Sequence, residues 1–177
     1  MDPKAYIGTF TGRKVTVFNP KPSDIVIEDI AASLSKVCRF TGHCSRFYSV
    51  AEHSVYVSRI VPPEDAKWGL LHDATEAYLG DLVRPIKRQP EMAFYRTAEN
   101  NFQKCIAQVF GLTPEIPDSV IKADNNLLLT ELVQLMKNVD IKNPSVAGYE
   151  ILDINLMTLP PYEAEQFFLD RYAELFA

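Results

Sequence analysis

Two histidines and two aspartates in this chain have the types and settings that could hold a divalent metal ion. His72 and Asp73 are adjacent within an apolar stretch, and His53 and Asp124 lie in two other apolar stretches. Charged groups are costly in such settings unless they are paired or bind a metal. Mixed nitrogen and oxygen donors suit manganese, iron, cobalt, nickel or zinc, so the sequence predicts a site for one of these transition metals.

The same four residues also allow a purely structural interpretation. In that interpretation His72 would complete a hydrogen-bond network of the core and Asp73 would pair with a nearby arginine, which is the favoured reading for an isolated His-Asp pair. The additional presence of His53 and Asp124 makes the metal site the better interpretation.

His43 is the rival of His53 for the first imidazole of the site. His43 lies in a glycine-containing loop, whereas His53 lies in the first turns of a helix with a capping signal at Ser49 and Glu52. We therefore favour His53 as the metal ligand. For His43 two interpretations stay open, a surface residue or a contact to a phosphate group.

Further carboxylates lie at short spacings from the proposed ligands. Glu76 follows His72 by four residues and Asp73 by three, which places all three near one face of a helix. Asp81 follows a glycine and is either a turn residue or a second functional carboxylate. Glu131 lies seven residues after Asp124, and we interpret it as a solvated or ion-paired carboxylate.

Helices must position these side chains, because apolar residues recur at intervals of three and four from Glu28 onward. Before that point, short extended runs flank a Thr-Gly-Arg turn and predict a hairpin. Residues 138–161 show only weak patterning. The predicted elements are a hairpin over Tyr6–Phe18 and helices from about Glu28, over Val50–Ile60, from a start at Pro62–Asp65 through Trp68 to Tyr78, over Glu91–Phe110 and Asp118–Met136 with Asp118 as N-cap, and over Tyr162–Phe176.

Length and composition fit one globular domain over residues 1–177. The chain has 177 residues, 47% of them hydrophobic, and a net charge of -5. An acidic chain is a poor partner for long nucleic acid, although a local basic cluster could bind a small anion. The three cysteines show no Cys-x-x-Cys spacing, residues 1–4 lack the start of a signal peptide, and no apolar run is long enough for a membrane span. We predict a cytoplasmic protein with free thiols and no membrane contact.

The ordered motifs of the chain resemble those of the HD phosphohydrolase superfamily. The pattern is His53, then His72-Asp73, then Asp124. These residues lie within the short segments Ala-Glu-His-Ser, Leu-His-Asp-Ala-Thr-Glu-Ala and Lys-Ala-Asp. Within that superfamily the chain is similar to bacterial 5'-deoxynucleotidases and their prophage relatives, including phage dATP triphosphohydrolases. The resemblance implies an all-α fold, an HD-domain helical bundle with a small N-terminal β-hairpin, and a homo-oligomer.

The resemblance also implies a role for individual residues. It makes His53, His72, Asp73 and Asp124 the metal ligands. Glu76 and Asp81 would assist the reaction by orienting water, by shuttling protons or by holding an additional Mg²⁺. The remaining positions would contact the substrate: Arg39 and Lys87 the phosphate, and Phe40 the sugar or base.

The expected activity is hydrolysis of a deoxynucleotide 5'-phosphate. A bound divalent ion lowers the pKa of its water from about 15.7 to roughly 7 and polarises a phosphoryl oxygen. Four basic residues flank the segments of the predicted metal ligands and could balance the charge of the phosphate: Arg39, Arg46, Arg84 and Lys87. The substrate is either a dNMP or a dNTP, and base preference stays open because Phe40 stands where relatives carry tryptophan. The alternative function is a non-catalytic module that senses a nucleotide.

Overall fold

The computed structural model describes residues 5–177, in which helices predominate and a two-stranded antiparallel hairpin lies at the N-terminal end. This confirms the predicted helical class and hairpin. The prediction drawn from residues 1–4 lies outside the described residues. Within residues 5–177, every helix is too short or too polar to cross a lipid bilayer. The elements are β1 (Tyr6–Gly8), β2 (Lys14–Thr16), α1 (Ile27–Leu34), α2 (Val50–Ile60), α3 (Ala66–Leu71), α4 (Glu76–Leu79), α5 (Arg84–Lys87), α6 (Ala93–Phe110), α7 (Asp118–Leu135) and α8 (Pro161–Phe176).

The hairpin is joined to the first helix through one carboxylate. Ile7 pairs with Val15 across the two strands, and the turn between them uses Gly12 at a φ of 82°, which suits glycine. Asp29 of α1 accepts hydrogen bonds from the Thr11 amide at 2.7 Å and from its hydroxyl at 3.0 Å. The hairpin therefore packs against the helical core at a defined position.

Helix α2 lies at the centre of the molecule. Every residue from Val50 to Ser58 is buried, and α2 packs against α3, α7 and α8. Gly69 permits the close approach of α3, because a Cβ atom at this position would lie only 2.7 Å from the Ser58 Cα. Buried residues on all faces are expected of a helix that is surrounded by others.

The predicted continuous helix over residues 68–78 is wrong, because the chain leaves the α-helix at His72. Helix α3 ends at Leu71 and the short helix α4 begins at Glu76. The intervening residues form turns with tighter hydrogen bonds, such as the Ala74 amide to the Leu71 carbonyl at 3.0 Å. The turn separates His72 and Asp73 from the regular helix, which lets both side chains reach the same cavity.

Other predicted helix boundaries differ from the structure by one or two residues. Helix α6 begins at Ala93, because Pro90 starts a separate 3₁₀ turn before it. Asp118 is the first residue of α7 rather than its N-cap, a position that Pro117 occupies. Helix α8 begins at Pro161, which suits the first turn because proline needs no amide partner there.

The weakly patterned segment before α8 is tied to α2 by a buried carboxylate. Ser49 caps α2 by accepting a hydrogen bond from the Glu52 amide at 3.1 Å, as predicted. The Glu52 side chain does not complete the predicted capping box. It accepts hydrogen bonds from the amides of Thr158 at 2.9 Å and Leu159 at 2.8 Å. Glu52, which the sequence suggested as a local cap, thus contacts a distant part of the chain.

Candidate metal centre

The structure brings two histidines and one aspartate together where α2 meets the turn after α3. One donor atom each from His53, His72 and Asp73 lies within 4.8 Å of the other two. The Nε2 atoms of the two histidines are 3.3 Å apart, and Asp73 Oδ2 lies 3.3 Å from His72 Nε2. Asp124 of α7 adds an oxygen, Oδ1, at 3.2 Å from His53 Nε2. The four side chains named from the sequence therefore meet in space.

The other nitrogen of each imidazole is occupied by an acceptor. His53 Nδ1 donates to Glu131 Oε1 at 2.6 Å, and His72 Nδ1 donates to the Gly69 carbonyl at 2.8 Å. A neutral imidazole with a proton on Nδ1 has a lone pair on Nε2. Two such lone pairs facing each other beside carboxylates repel, unless a proton or a metal ion lies between them.

Glu131 is a functional candidate that the sequence interpretation undervalued. It is ion-paired, as predicted, but it is completely buried rather than solvated. Its second oxygen accepts two hydrogen bonds from Arg39, from Nε at 3.1 Å and from a terminal nitrogen at 2.9 Å. Another terminal nitrogen of Arg39 lies 3.6 Å from Asp73 Oδ2. The spacing of seven residues from Asp124 was the available signal, because it places Glu131 two turns along the same face of α7.

The electrostatics of the cluster favour a positive charge between the side chains. Burial and Arg39 oppose protonation of His53, but Glu131 and Asp124 outweigh them and raise its pKa to about 9. Burial opposes ionisation of Asp124, yet the contacts with His53 and His72 hold its pKa at about 2. Despite burial, the neighbouring His72, His53 and Arg39 also lower the pKa of Asp73.

The residues present fit a divalent transition metal. The donor set combines two imidazole nitrogens with carboxylate oxygens, and both imidazoles have an outer partner that orients the ring. Such partners are typical of metal-binding histidines. The cluster can therefore hold a metal ion, although the donor set alone suits several of them.

A cavity of about 380 Å³ opens above the cluster. Its floor includes His72, Asp73 and Asp124, and one wall is formed by apolar side chains of α7 and the loop before it, Ile116, Val120, Ile121 and Leu128. Of the residues predicted to bind substrate or assist the reaction, Arg39, Phe40, Glu76, Asp81 and Lys87 line the same cavity. A cavity of this size suits a small-molecule ligand.

Glu76 and Asp81 form the acidic side of the cavity. The Glu76 Oε2 atom is buried without a hydrogen-bond partner among the described residues. Burial, together with the nearby Asp73 and Asp81, raises the pKa of Glu76 well above its usual value. Burial also raises the pKa of Asp81. A buried carboxyl group with a free oxygen beside a possible metal site is a candidate for proton transfer.

The basic side chains of the cavity are already engaged with acidic groups. Arg84 donates to Asp124 Oδ2 at 3.0 Å and to the Asn125 side chain at 3.1 Å. Lys87 forms an ion pair with Glu99. Arg84 and Lys87 therefore need to exchange a partner, or share it, to bind an anionic ligand.

The remaining predicted contacts differ in their position. Phe40 lines the cavity, and the Arg39 guanidinium lies 5.6 Å from the centre of its ring. His43 and Arg46 are exposed and are not part of the cavity lining. The structure thus brings Phe40 to the site but not His43 or Arg46.

Fold and site together define a helical protein with a histidine and aspartate cluster at the floor of a small-molecule cavity. No family model matches the chain. The chain is 38% identical to the uncharacterized protein YfdR of Escherichia coli K12 over 172 residues, which is 97% of this chain and 96% of that protein. It is also 34% identical to an uncharacterized protein of Rhodobacter capsulatus over 129 residues, 68% of this chain and 65% of that protein. The chain belongs to the family of YfdR.

Proposed function

We propose that this protein is a divalent-metal-dependent phosphohydrolase that cleaves the 5'-phosphate of a deoxynucleotide, with an HD-type helical bundle as its fold. One observation carries the proposal: the imidazoles of His53 and His72 face each other beside Asp73 and Asp124 at the floor of an open cavity. Because both Nδ1 atoms donate to other groups, the two Nε2 atoms and the carboxylate oxygens beside them need a proton or a metal ion between them, and this donor set suits a metal ion. The arrangement of the motifs in the sequence supports the same function.

The metal would be held by His53, His72, Asp73 and Asp124. When bound there, a divalent ion supplies Lewis acidity and a nucleophile at neutral pH. Glu131 and the Gly69 carbonyl keep each imidazole in the tautomer and orientation that metal binding needs.

The other residues of the cavity act on the substrate. Arg39, Arg84 and Lys87 place positive charge where a phosphate would sit, and such fixed charges stabilise the additional negative charge of the transition state. Glu76 can hold or transfer a proton at its free Oε2 atom, for example to the departing 5' oxygen. The sugar and base would lie along the apolar wall and against Phe40.

The charge of the cavity favours a monophosphate over a triphosphate. Five carboxyl groups and three basic side chains line it, and each basic side chain already contacts a carboxylate. A triphosphate brings more negative charge, which this lining would not balance without additional cations. We therefore place 5'-deoxynucleotidase activity first and dNTP triphosphohydrolase activity second.

Identification of the phosphate product tests the proposal. Protein treated with a chelator is supplied separately with Mn²⁺, Co²⁺, Ni²⁺, Zn²⁺ or Fe²⁺ and incubated with each dNMP and each dNTP. We expect inorganic phosphate from monophosphates with at least one metal. Inorganic triphosphate from dNTPs alone would instead establish the second activity.

Matched variants then connect the activity to the cluster. Asp124→Asn keeps the shape of the side chain and should lower kcat/KM by more than about 100-fold, the upper range for the loss of outer partners of a metal. Asp153→Asn is the control, because Asp153 is exposed and does not line the cavity. Activity in folded Asp124→Asn at the wild-type rate would rule out the proposed site. Nucleotide binding without a product under any metal would favour the sensing module.

A further inference from the structure

Two cysteine thiols lie next to each other at the turn that carries Arg39. Cys38 and Cys44 are half-buried and free, and their Sγ atoms are 3.6 Å apart. The third cysteine, Cys105, lies elsewhere and its thiol donates to the Pro20 carbonyl at 3.2 Å. The spacing of Cys38 and Cys44 in the sequence did not indicate a pair, so their proximity is a product of the fold.

A turn with an unusual backbone brings the two cysteines together. Phe40, Thr41 and Gly42 have φ values of 55°, 53° and 80°. The left-handed conformation is costly for Phe40 and Thr41, and such a conformation persists only where surrounding contacts hold it. The thiols therefore meet because the backbone between them is held in a strained turn.

Several backbone hydrogen bonds hold this turn. The Arg39 amide donates to the Tyr48 carbonyl at 2.9 Å, and the His43 amide donates to the Phe40 carbonyl at 3.0 Å. Just beyond Cys44, the Ser45 amide donates to the Leu135 carbonyl at 2.8 Å, which connects the turn to the end of α7. Both ends of the turn are thus fixed before any bond forms between the sulfurs.

We propose that Cys38 and Cys44 are a redox-active dithiol that a small-molecule disulfide of the glutathione class converts to an intramolecular disulfide. One cysteine thiolate attacks a sulfur of the small disulfide, forms a mixed disulfide and releases one small thiol. The other cysteine then attacks the protein sulfur of that mixed disulfide and releases the second small thiol. Two cysteines are oxidised by two electrons in total, and one small disulfide is reduced to two small thiols.

The geometry favours this reaction in the folded chain. A disulfide has an S–S distance of about 2.05 Å, so the sulfurs need to approach by roughly 1.5 Å. The entropy that an unfolded chain would lose on closing the ring has already been lost on folding. The bond would join the two ends of the turn that carries Arg39, whose guanidinium contacts Glu131 and Asp73. The inference does not depend on the proposed hydrolase activity.

The test compares oxidation of the folded and unfolded chain. The variant Cys105→Ser keeps the proposed pair and removes the remaining thiol. It is equilibrated with mixtures of reduced and oxidised glutathione, either in native buffer or in urea that unfolds it. Free thiols are trapped with iodoacetamide, and peptide mass spectrometry measures the fraction of the Cys38–Cys44 disulfide.

The oxidant requirement is the concentration of oxidised glutathione divided by the square of the concentration of reduced glutathione, taken where half of the chains carry the disulfide. We expect this ratio to be at least about tenfold lower for the native chain than for the unfolded chain. Cys44→Ser, the matched control, should form only mixed disulfides with glutathione. An equal or higher oxidant requirement in the native state would overturn the proposal. Free thiols or stable mixed disulfides in the native chain at the most oxidising ratio would do the same.

Discussion

Glu131 orients His53 and is itself held by Arg39. One carboxylate oxygen accepts a hydrogen bond from His53 Nδ1 at 2.6 Å, and the other oxygen accepts two hydrogen bonds from Arg39. A carboxylate in this position fixes the tautomer of the imidazole and makes its other nitrogen a stronger donor to a metal. At the scale of single residues, Glu131 therefore orients a predicted ligand of the candidate metal centre without being a predicted ligand itself.

Substitution of Glu131 tests this role. Glu131→Gln keeps the size of the side chain but removes the negative charge, so we expect the affinity for Mn²⁺ or Co²⁺ to fall by about 10-fold to 100-fold. Isothermal titration calorimetry measures the affinity, and circular dichroism checks that the variant is folded. Glu150→Gln, at an exposed position, is the control. An unchanged metal affinity in folded Glu131→Gln would show that Glu131 has only a packing role.

The close approach of α3 to α2 depends on a single glycine. Gly69 lies against the backbone of Ser58, and its own carbonyl accepts a hydrogen bond from His72 Nδ1. The absence of a side chain at Gly69 thus allows the two helices to approach. At the scale of elements, this contact brings the histidine of α2 to the histidine that follows α3.

Gly69→Ala should therefore be destabilising even though alanine favours helices. The added methyl would lie 2.7 Å from the Ser58 Cα, and relief of such overpacking typically costs about 1 to 3 kcal/mol. Urea unfolding measures the change in the free energy of unfolding. The control is Gly8→Ala, because a Cβ atom there meets nothing within 4 Å. Equal stability of Gly69→Ala and the wild type would disprove the close approach.

Glu52 connects α2 with the segment that leads to α8. It is completely buried and accepts hydrogen bonds from two amides of that segment, those of Thr158 and Leu159. This contact joins residues more than a hundred positions apart in the chain and places the start of the last helix.

Glu52→Ala should remove this connection between α2 and the segment before α8. The amides of two half-buried residues would lose a charged acceptor, which we expect to lower the free energy of unfolding by about 2 to 4 kcal/mol. The exposed Glu115→Ala serves as the control in the same denaturant series. Increased proteolysis near residues 157–160 is the accompanying local readout, and wild-type stability would refute the role of Glu52.

At the scale of the whole molecule, the cluster joins three separate parts of the fold. His53 comes from α2, His72 and Asp73 follow α3, and Asp124 comes from α7. A ligand that binds only when these parts are assembled stabilises the folded state by mass action. A bound metal would therefore act on the stability of the entire chain.

Thermal unfolding with and without metal measures this effect. At a free metal concentration about 100 times the Kd, stability should increase by about 2.7 kcal/mol, and excess chelator should reverse the gain in Tm. Asp124→Asn should lose most of the response, whereas Asp153→Asn should keep it. A Tm that does not respond to any of the divalent transition metals would count against a metal centre.

Residue types and short spacings were sufficient to predict the helical class, the hairpin and the identity of the clustered residues. Helical periodicity and turn residues act over a few positions, so they are readable in the chain itself. His53, His72, Asp73 and Asp124 were found because ionisable groups in apolar stretches need a partner wherever the fold places them. Their roles as metal ligands stay a prediction that the experiments above address.

Only the tertiary structure decided which distant groups contact one another. It buried Glu131 against His53 and Arg39, and it directed Glu52 to the segment before α8. It also ended the helix at His72 and brought Cys38 to Cys44. Local sequence patterns determine which elements form, but burial and contact depend on how those elements pack, and packing is set by interactions between residues far apart in the chain.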